Sequence, residues 1–217
     1  MSNEQMEIKQ VNLKDVFLQL VKPYCNANLG VAMLLWNELA KAYSAKSRSY
    51  HNLQHLVHMY LQLKEVQATI ENWDAVLFAL FYHDVRYNVL KNNNEEKSAT
   101  LAGLRMNKLG VHAQTVERCV QHILATKVHS VCGDSDRNYF IDADLSVLGA
   151  DAAAYKWYCV NIRKEYWLYP DALYKPGRRK VLQHFLGMDR IFKTDDFHQR
   201  LEVISRINLQ EELNTLK

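Results

Sequence analysis

Apolar residues recur along this chain with the helical period, at spacings of three and four, and no alternating run is long enough to make a strand. The first such stretch spans Met6 to Val21 and stops before Pro23; the next covers Leu29 to Tyr43. A Ser/Lys/Arg loop, Ser44 to Ser49, leads into a helix predicted over His51 to Ala68. Asn72 or Asp74 is placed to cap a short, wholly apolar helix that ends near His83. The Asn92–Asn94 run reads as a turn, with Asn94 capping a helix that closes at Gly110. A helix over Ala113 to Thr126 is followed by the polar loop VHSVCGDSDRN. A short helix around Ala143 to Leu148 and a longer one around Ala152 to Leu168 come next. Pro170 and Pro176 bracket a loop, and helices near Arg178–Leu186 and His198–Leu213 finish the chain. This is the pattern of an all-α bundle of eight or nine helices. With no repeat, low-complexity tract or linker, the expectation is one domain over residues 1–217.

Composition narrows the function classes. Of 217 residues, 48% are hydrophobic and 24% charged, which excludes a disordered chain. The longest apolar run, Ala75 to Tyr82, is far short of the roughly 20 residues that cross a bilayer. The polar start MSNEQMEIKQ has no secretory core, so a cytoplasmic protein with no membrane partner is expected. A net charge of +3 suits an anionic small molecule, and no dense Lys/Arg block points to nucleic acid. No two of Cys25, Cys119, Cys132 and Cys159 are spaced as CxxC, so they read as reduced thiols.

Three clusters carry candidate chemistry. In YHNLQHLVH, helical spacing puts His51, His55 and His58 on one stripe, opposite Leu53, Leu56, Val57, Tyr60 and Leu61. HxxxH is a metal spacing and also a common accident of a His-rich solvated face. In FALFYHD, His83 and Asp84 end the apolar helix. Charge is rarely set beside so much core without a partner, and a divalent cation would offset that cost. A histidine at a helix C-terminus beside a turn-capping aspartate is the plainer alternative. In IDADLSVLG, Asp142 and Asp144 stand two apart, so a helix points them in different directions. Asp142 suits an N-cap; Asp144, flanked by apolar residues, is the better ligand.

Taken together, a lone His, a His-Asp pair and an Asp in ADL resemble the metal-dependent phosphohydrolases of the HD superfamily. YHNLQH is similar to the YHNxxH segment of the cyclic-nucleotide phosphodiesterases, distant members of the same fold. The likeness is closest to a bacterial group of predicted HD phosphohydrolases. It extends through RSYHNLQHL, FYHDVRY, NNEEKSA, HILATKVH, DADLSVLG, PGRRKVLQHFL and SRINLQEEL, most of the chain. The resemblance implies a single HD-type helical domain. It makes His55, His83, Asp84 and Asp144 the metal ligands, with His51 the general acid and Asp84 orienting the attacking water. Two-metal members add ligands between the HD pair and the last Asp; Glu95, where those patterns carry a His, and His122 fall there.

The cofactor implied is a divalent cation, Mn, Fe, Zn, Ni or Mg, since nitrogen and oxygen donors admit all of them. The partner implied is a small phosphorylated substrate, plausibly a nucleotide. Arg48, three residues before His51, and Arg178 and Arg179 are the candidate phosphate contacts. Lys175 and Lys180 read as a solvated turn; Tyr82, Tyr87 and Trp167 are placed to stack on a base or to fill core. Two other readings stay open: a two-iron HD-type oxygenase, and a non-catalytic nucleotide-binding regulatory module.

Overall fold

The structure, a computed structural model, describes residues 11–25, 28–128 and 130–216. It is all helical, and among the described residues no strand occurs. Ten α-helices follow in order: α1 Leu13–Val21, α2 Leu29–Tyr43, α3 Leu53–Glu65, α4 Trp73–Tyr82, α5 Asn94–Lys108, α6 Ala113–Ala125, α7 Ser135–Leu145, α8 Ala152–Glu165, α9 Asp171–Leu186 and α10 Asp195–Thr215. A short 3₁₀ turn, Ser146–Gly149, continues α7. The predicted start of the first helix, Met6 to Gln10, lies outside the described residues. No helix among them is long and apolar enough to cross a membrane.

The centre of the molecule is α4. All of Ala75 to Tyr82 is buried, on every side of the helix, as a uniformly apolar helix must be. It packs against α1, α3, α5, α6 and α7. Phe78 and Phe81 are fully buried, and Phe81 meets Phe17 edge to face at 5.0 Å. Asn72, one of the two residues expected to do so, caps the helix through a bond from the Ala75 N–H at 3.0 Å. At the other end α4 delivers His83 and Asp84 from the middle of the core.

Several boundaries differ from the sequence reading, each for a local reason. His51 precedes α3, because Asn52 takes the cap and accepts from the Gln54 N–H. Asn94 does not cap α5; its amide spans the loop before it, accepting from Asn88 N–H and donating to the Asn88 carbonyl. Gly110 does end that segment, at φ +73°, the left-handed value glycine reaches without strain. Asp134 accepts from the Arg137 N–H and so starts α7 inside what reads as a polar loop. Asp142 is then mid-helix, not an N-cap. Its carboxylate instead accepts the Lys193 and Thr194 N–H groups and the Thr194 hydroxyl, tying α7 to the start of α10. Pro176 does not bracket a loop but lies within α9. It forfeits one backbone bond near the exposed first turns, and Arg178 is thereby set mid-helix.

Helix α10 crosses Ser146–Gly149 at close range. A Cβ on Gly149 would meet Leu201 Cβ at 2.6 Å and the Leu201 carbonyl oxygen at 3.0 Å. The backbones must part to admit it. Gly149→Ala is therefore expected to destabilise the fold by about 1–3 kcal/mol, read as a lower urea midpoint with an unchanged slope. An unshifted midpoint would show that this crossing yields freely.

Candidate metal centre

Three segments converge at the end of α4. His55, one turn into α3, is 4% exposed, and His83 is 2% exposed. Their Nε2 atoms stand 3.2 Å apart. Asp144 Oδ1, from the last turn of α7, lies 3.4 Å from His55 Nε2 and 3.9 Å from His83 Nε2. All three ligand atoms fall within 4.8 Å of one another, a group able to hold a metal ion. Donors bonded to one cation at about 2.0–2.2 Å sit about 3.0–3.5 Å from each other, so this spacing suits a shared ion. The donor chemistry suits it as well. His83 Nδ1 lies 3.0 Å from the Leu80 carbonyl, which makes Nδ1 the donor and leaves the Nε2 lone pair turned to the cluster.

Asp84 is not one of that group but stands against it, with Oδ2 3.3 Å from His83 Nε2 and 4.0 Å from His51 Nε2. Burial alone would lower the His83 pKa, yet the neighbouring Asp84 and Asp144 raise it to about 9. Burial dominates at His55 and lowers it. At Asp84 burial is outweighed by His83 and His51, which hold it well below the carboxylate range. The two carboxylates thus favour positive charge between them, which a divalent cation could supply in place of protons.

His51 sits at the cluster's edge and is held by a residue that the sequence reading missed. Glu165, the last residue of α8, is 3% exposed. It accepts the Tyr50 N–H at 2.7 Å, the His51 N–H at 2.9 Å and the Tyr87 hydroxyl at 3.0 Å; His51 Nδ1 donates to it at 2.6 Å. Nδ1 is thereby engaged and Nε2 is the free nitrogen, facing Asp84. Burial works to lower the His51 pKa, but Asp84 and Glu165 outweigh it and the net shift is upward. A signal for Glu165 did exist: it falls on the buried stripe Tyr155, Tyr158, Ile162, where a carboxylate needs donors.

The expected phosphate contacts fare differently. Arg48 is buried and spends its guanidinium on main-chain carbonyls: His51 at 3.2 Å, Asp84 at 2.7 Å and Val85 at 3.1 Å. It fastens the His51 turn to the Asp84 turn and does not line the pocket. Arg178 does line the pocket, but as the buried partner of Glu212, through bonds of 2.7 and 2.8 Å. Arg179 lies off the pocket, with one long bond to the Leu213 carbonyl. Tyr82 is core, whereas Tyr87 lies 4.3 Å from the His51 ring on the pocket wall; Trp167 is exposed and off it. His58, on the same stripe as His55, is outside the ligand group.

Of the two residues considered for a second metal, Glu95 lines the pocket. His122 does not. It is fully buried and stacked on Phe140 at 5.9 Å, and among the described residues neither ring nitrogen has a hydrogen-bond partner. Burial pushes its pKa down to about 4 from 6.5. The unfolded chain protonates this residue below pH 6.5 and the folded chain does not, so stability falls as pH drops from 6.5 toward 4. His122→Phe, which cannot titrate, should escape about 2–3 kcal/mol of the loss that the wild type suffers between pH 7 and pH 4.5. Equal losses in parallel urea titrations would clear His122 of that role.

The pocket over the cluster encloses about 500 Å³. His51, His83, Asp84 and Asp144 form one end of it, beside Glu95 and Thr126. Comparison of the chain with protein-family models, with curated proteins and with solved structures finds no match.

Proposed function

We propose that this protein is a metal-dependent phosphohydrolase of the HD superfamily, acting in the cytoplasm on a small phosphate ester such as a nucleotide. The observation that carries the reading is the meeting of His55, His83 and Asp144 beside a Glu165-oriented His51 at a partly open pocket. The motif order that resembles the HD family supports the same reading.

His55, His83 and Asp144 would hold the divalent cation, with Asp84 beside them. A cation bound there would supply Lewis-acid chemistry, a more acidic water and a polarised phosphoryl oxygen. Asp84, whose Oδ2 lies 3.3 Å from His83 Nε2 and 4.0 Å from His51 Nε2, would accept a hydrogen bond from the attacking water and set its direction. His51 carries the proton for the departing ester oxygen on Nε2, while Glu165 fixes its tautomer through Nδ1. Tyr87 covers the His51 ring and limits water around it.

The test is phosphate release from a panel of nucleotides and simple phosphate esters, with metal added and then removed by chelator. Activity that appears with Mn, Fe, Zn, Ni or Mg and vanishes on chelation is expected. A protein that takes up metal yet cleaves no ester in the panel would overturn the hydrolase reading.

A further inference from the structure

We propose that the pocket is built for a phosphate monoester carried on an aromatic or apolar body, and that it discriminates against di- and triphosphates. The inference rests on the hydrolase reading above and adds the class of substrate. A phosphate on the ligand cluster would fill only a small part of the 500 Å³, a volume within the range that holds a whole drug-sized molecule. The remainder is walled by Leu148, Ile162, Val181 and Phe185, with the rings of Tyr158 and Tyr166 among them. Such a surface favours the burial of rings or hydrocarbon, and tyrosine faces suit a flat heterocycle.

Charge supplies the second half of the argument. Among the described residues that line the pocket, Asp84, Glu95 and Asp144 are acidic, and the basic side chain is Arg178. Its guanidinium is already occupied: Nε and Nη2 bond Glu212 at 2.7 and 2.8 Å, and Nη1 donates to the Tyr158 hydroxyl at 3.2 Å. Two guanidiniums behind the wall are committed as well: Arg48 to the main-chain carbonyls of His51, Asp84 and Val85, and Arg163 to those of Tyr166 and Tyr169 and to Asp171. One phosphate can be balanced by a cation on the ligand cluster and by His51. A second or third would be desolvated against carboxylates and apolar walls, with no uncommitted lysine or arginine among the described lining residues to meet it.

The experiment has a kinetic and a binding arm. With metal-loaded protein, kcat/KM for 1-naphthyl phosphate should exceed that for glycerol phosphate by about a hundredfold, from the apolar area buried. Adenosine monophosphate should exceed the di- and triphosphate by at least about tenfold. Calorimetry with two uncleavable probes, 1-naphthylphosphonate and methylphosphonate, reads the chamber without turnover; the naphthyl compound should bind at least about tenfold tighter. In Val181→Lys, at a half-exposed position of the wall, both preferences should shrink. Cleavage that ignores the ester's body, or equal rates on mono- and triphosphates, would overturn the proposal and leave the hydrolase reading standing. So would unchanged preferences in Val181→Lys. Tight naphthylphosphonate binding with no ester cleaved would uphold the chamber and sink the hydrolase. Binding of neither phosphonate, with no ester cleaved, would sink both.

Discussion

Asp144→Asn should strip the protein of its divalent cation and of turnover together. The substitution keeps the shape of a side chain that already reaches the pocket, so the fold has little reason to respond. What it removes is the carboxylate of the ligand group, 3.4 Å from His55 Nε2 and 3.9 Å from His83 Nε2. Loss of a group that merely orients a ligand typically costs 10–100-fold in metal affinity, so loss of a ligand should exceed about a hundredfold. The control lies two residues away. Asp142 is fully buried and serves the Lys193 and Thr194 amides, so Asp142→Asn should lower stability by about 1–3 kcal/mol and retain the metal. Elemental analysis and calorimetric titration of both variants decide the matter. Wild-type metal affinity in Asp144→Asn would end the assignment of this cluster as the site.

The second large effect is at His51. His51→Ala should retain the metal and lose about 10²–10⁴ in kcat, the usual contribution of a general acid. Glu165→Gln should fall between that variant and the wild type, because the amide can still accept but no longer carries charge. The pH profile shows whether Glu165 acts through His51. A general acid must be protonated, and Asp84 and Glu165 together raise the His51 pKa against the effect of burial. Removing the Glu165 charge should therefore move the alkaline limb of the kcat profile to lower pH. A lower plateau with an unmoved limb would reduce Glu165 to a structural support, and metal loss in His51→Ala would make His51 a ligand.

Much of this was legible in the chain because the helical period and one uninterrupted apolar run carry it. The apolar run Ala75 to Tyr82 admits no exposed face, so its burial, and the placing of His83 at its end, follow from composition alone. His55, His83 and Asp144 could be named because each is an oddity against an apolar background. The structure departs from the sequence reading where one residue type has two uses. Asp142 has the residue type of an N-cap and does cap a chain segment, but one fifty residues away, which no local pattern encodes. Arg48 and Arg178 have the chemistry of phosphate contacts, yet main-chain carbonyls and Glu212 claim them first. Those partners are fixed by tertiary packing. Glu165 was missed for the converse reason: a glutamate at a helix end is unremarkable until the turn it supports, Tyr50–His51, is seen beside it.

The tie from Asp142 to residues 193 and 194 bears on the order of events at the ribosome. Asp144 and its helix emerge well before Thr194 does, and synthesis at about 5–20 residues per second leaves a window of several seconds between them. During that window Asp142 has none of its donors from the start of α10, and the helix end that carries Asp144 is not yet fastened. Glu165 is made within the same interval, so the support for His51 is also present only in part. The nascent chain can bury α4 early, but it completes its cation-binding cluster late. On the proposed reading, uptake of an ion would be a closing step of folding, and the half-made protein would hold a metal less tightly than the finished one.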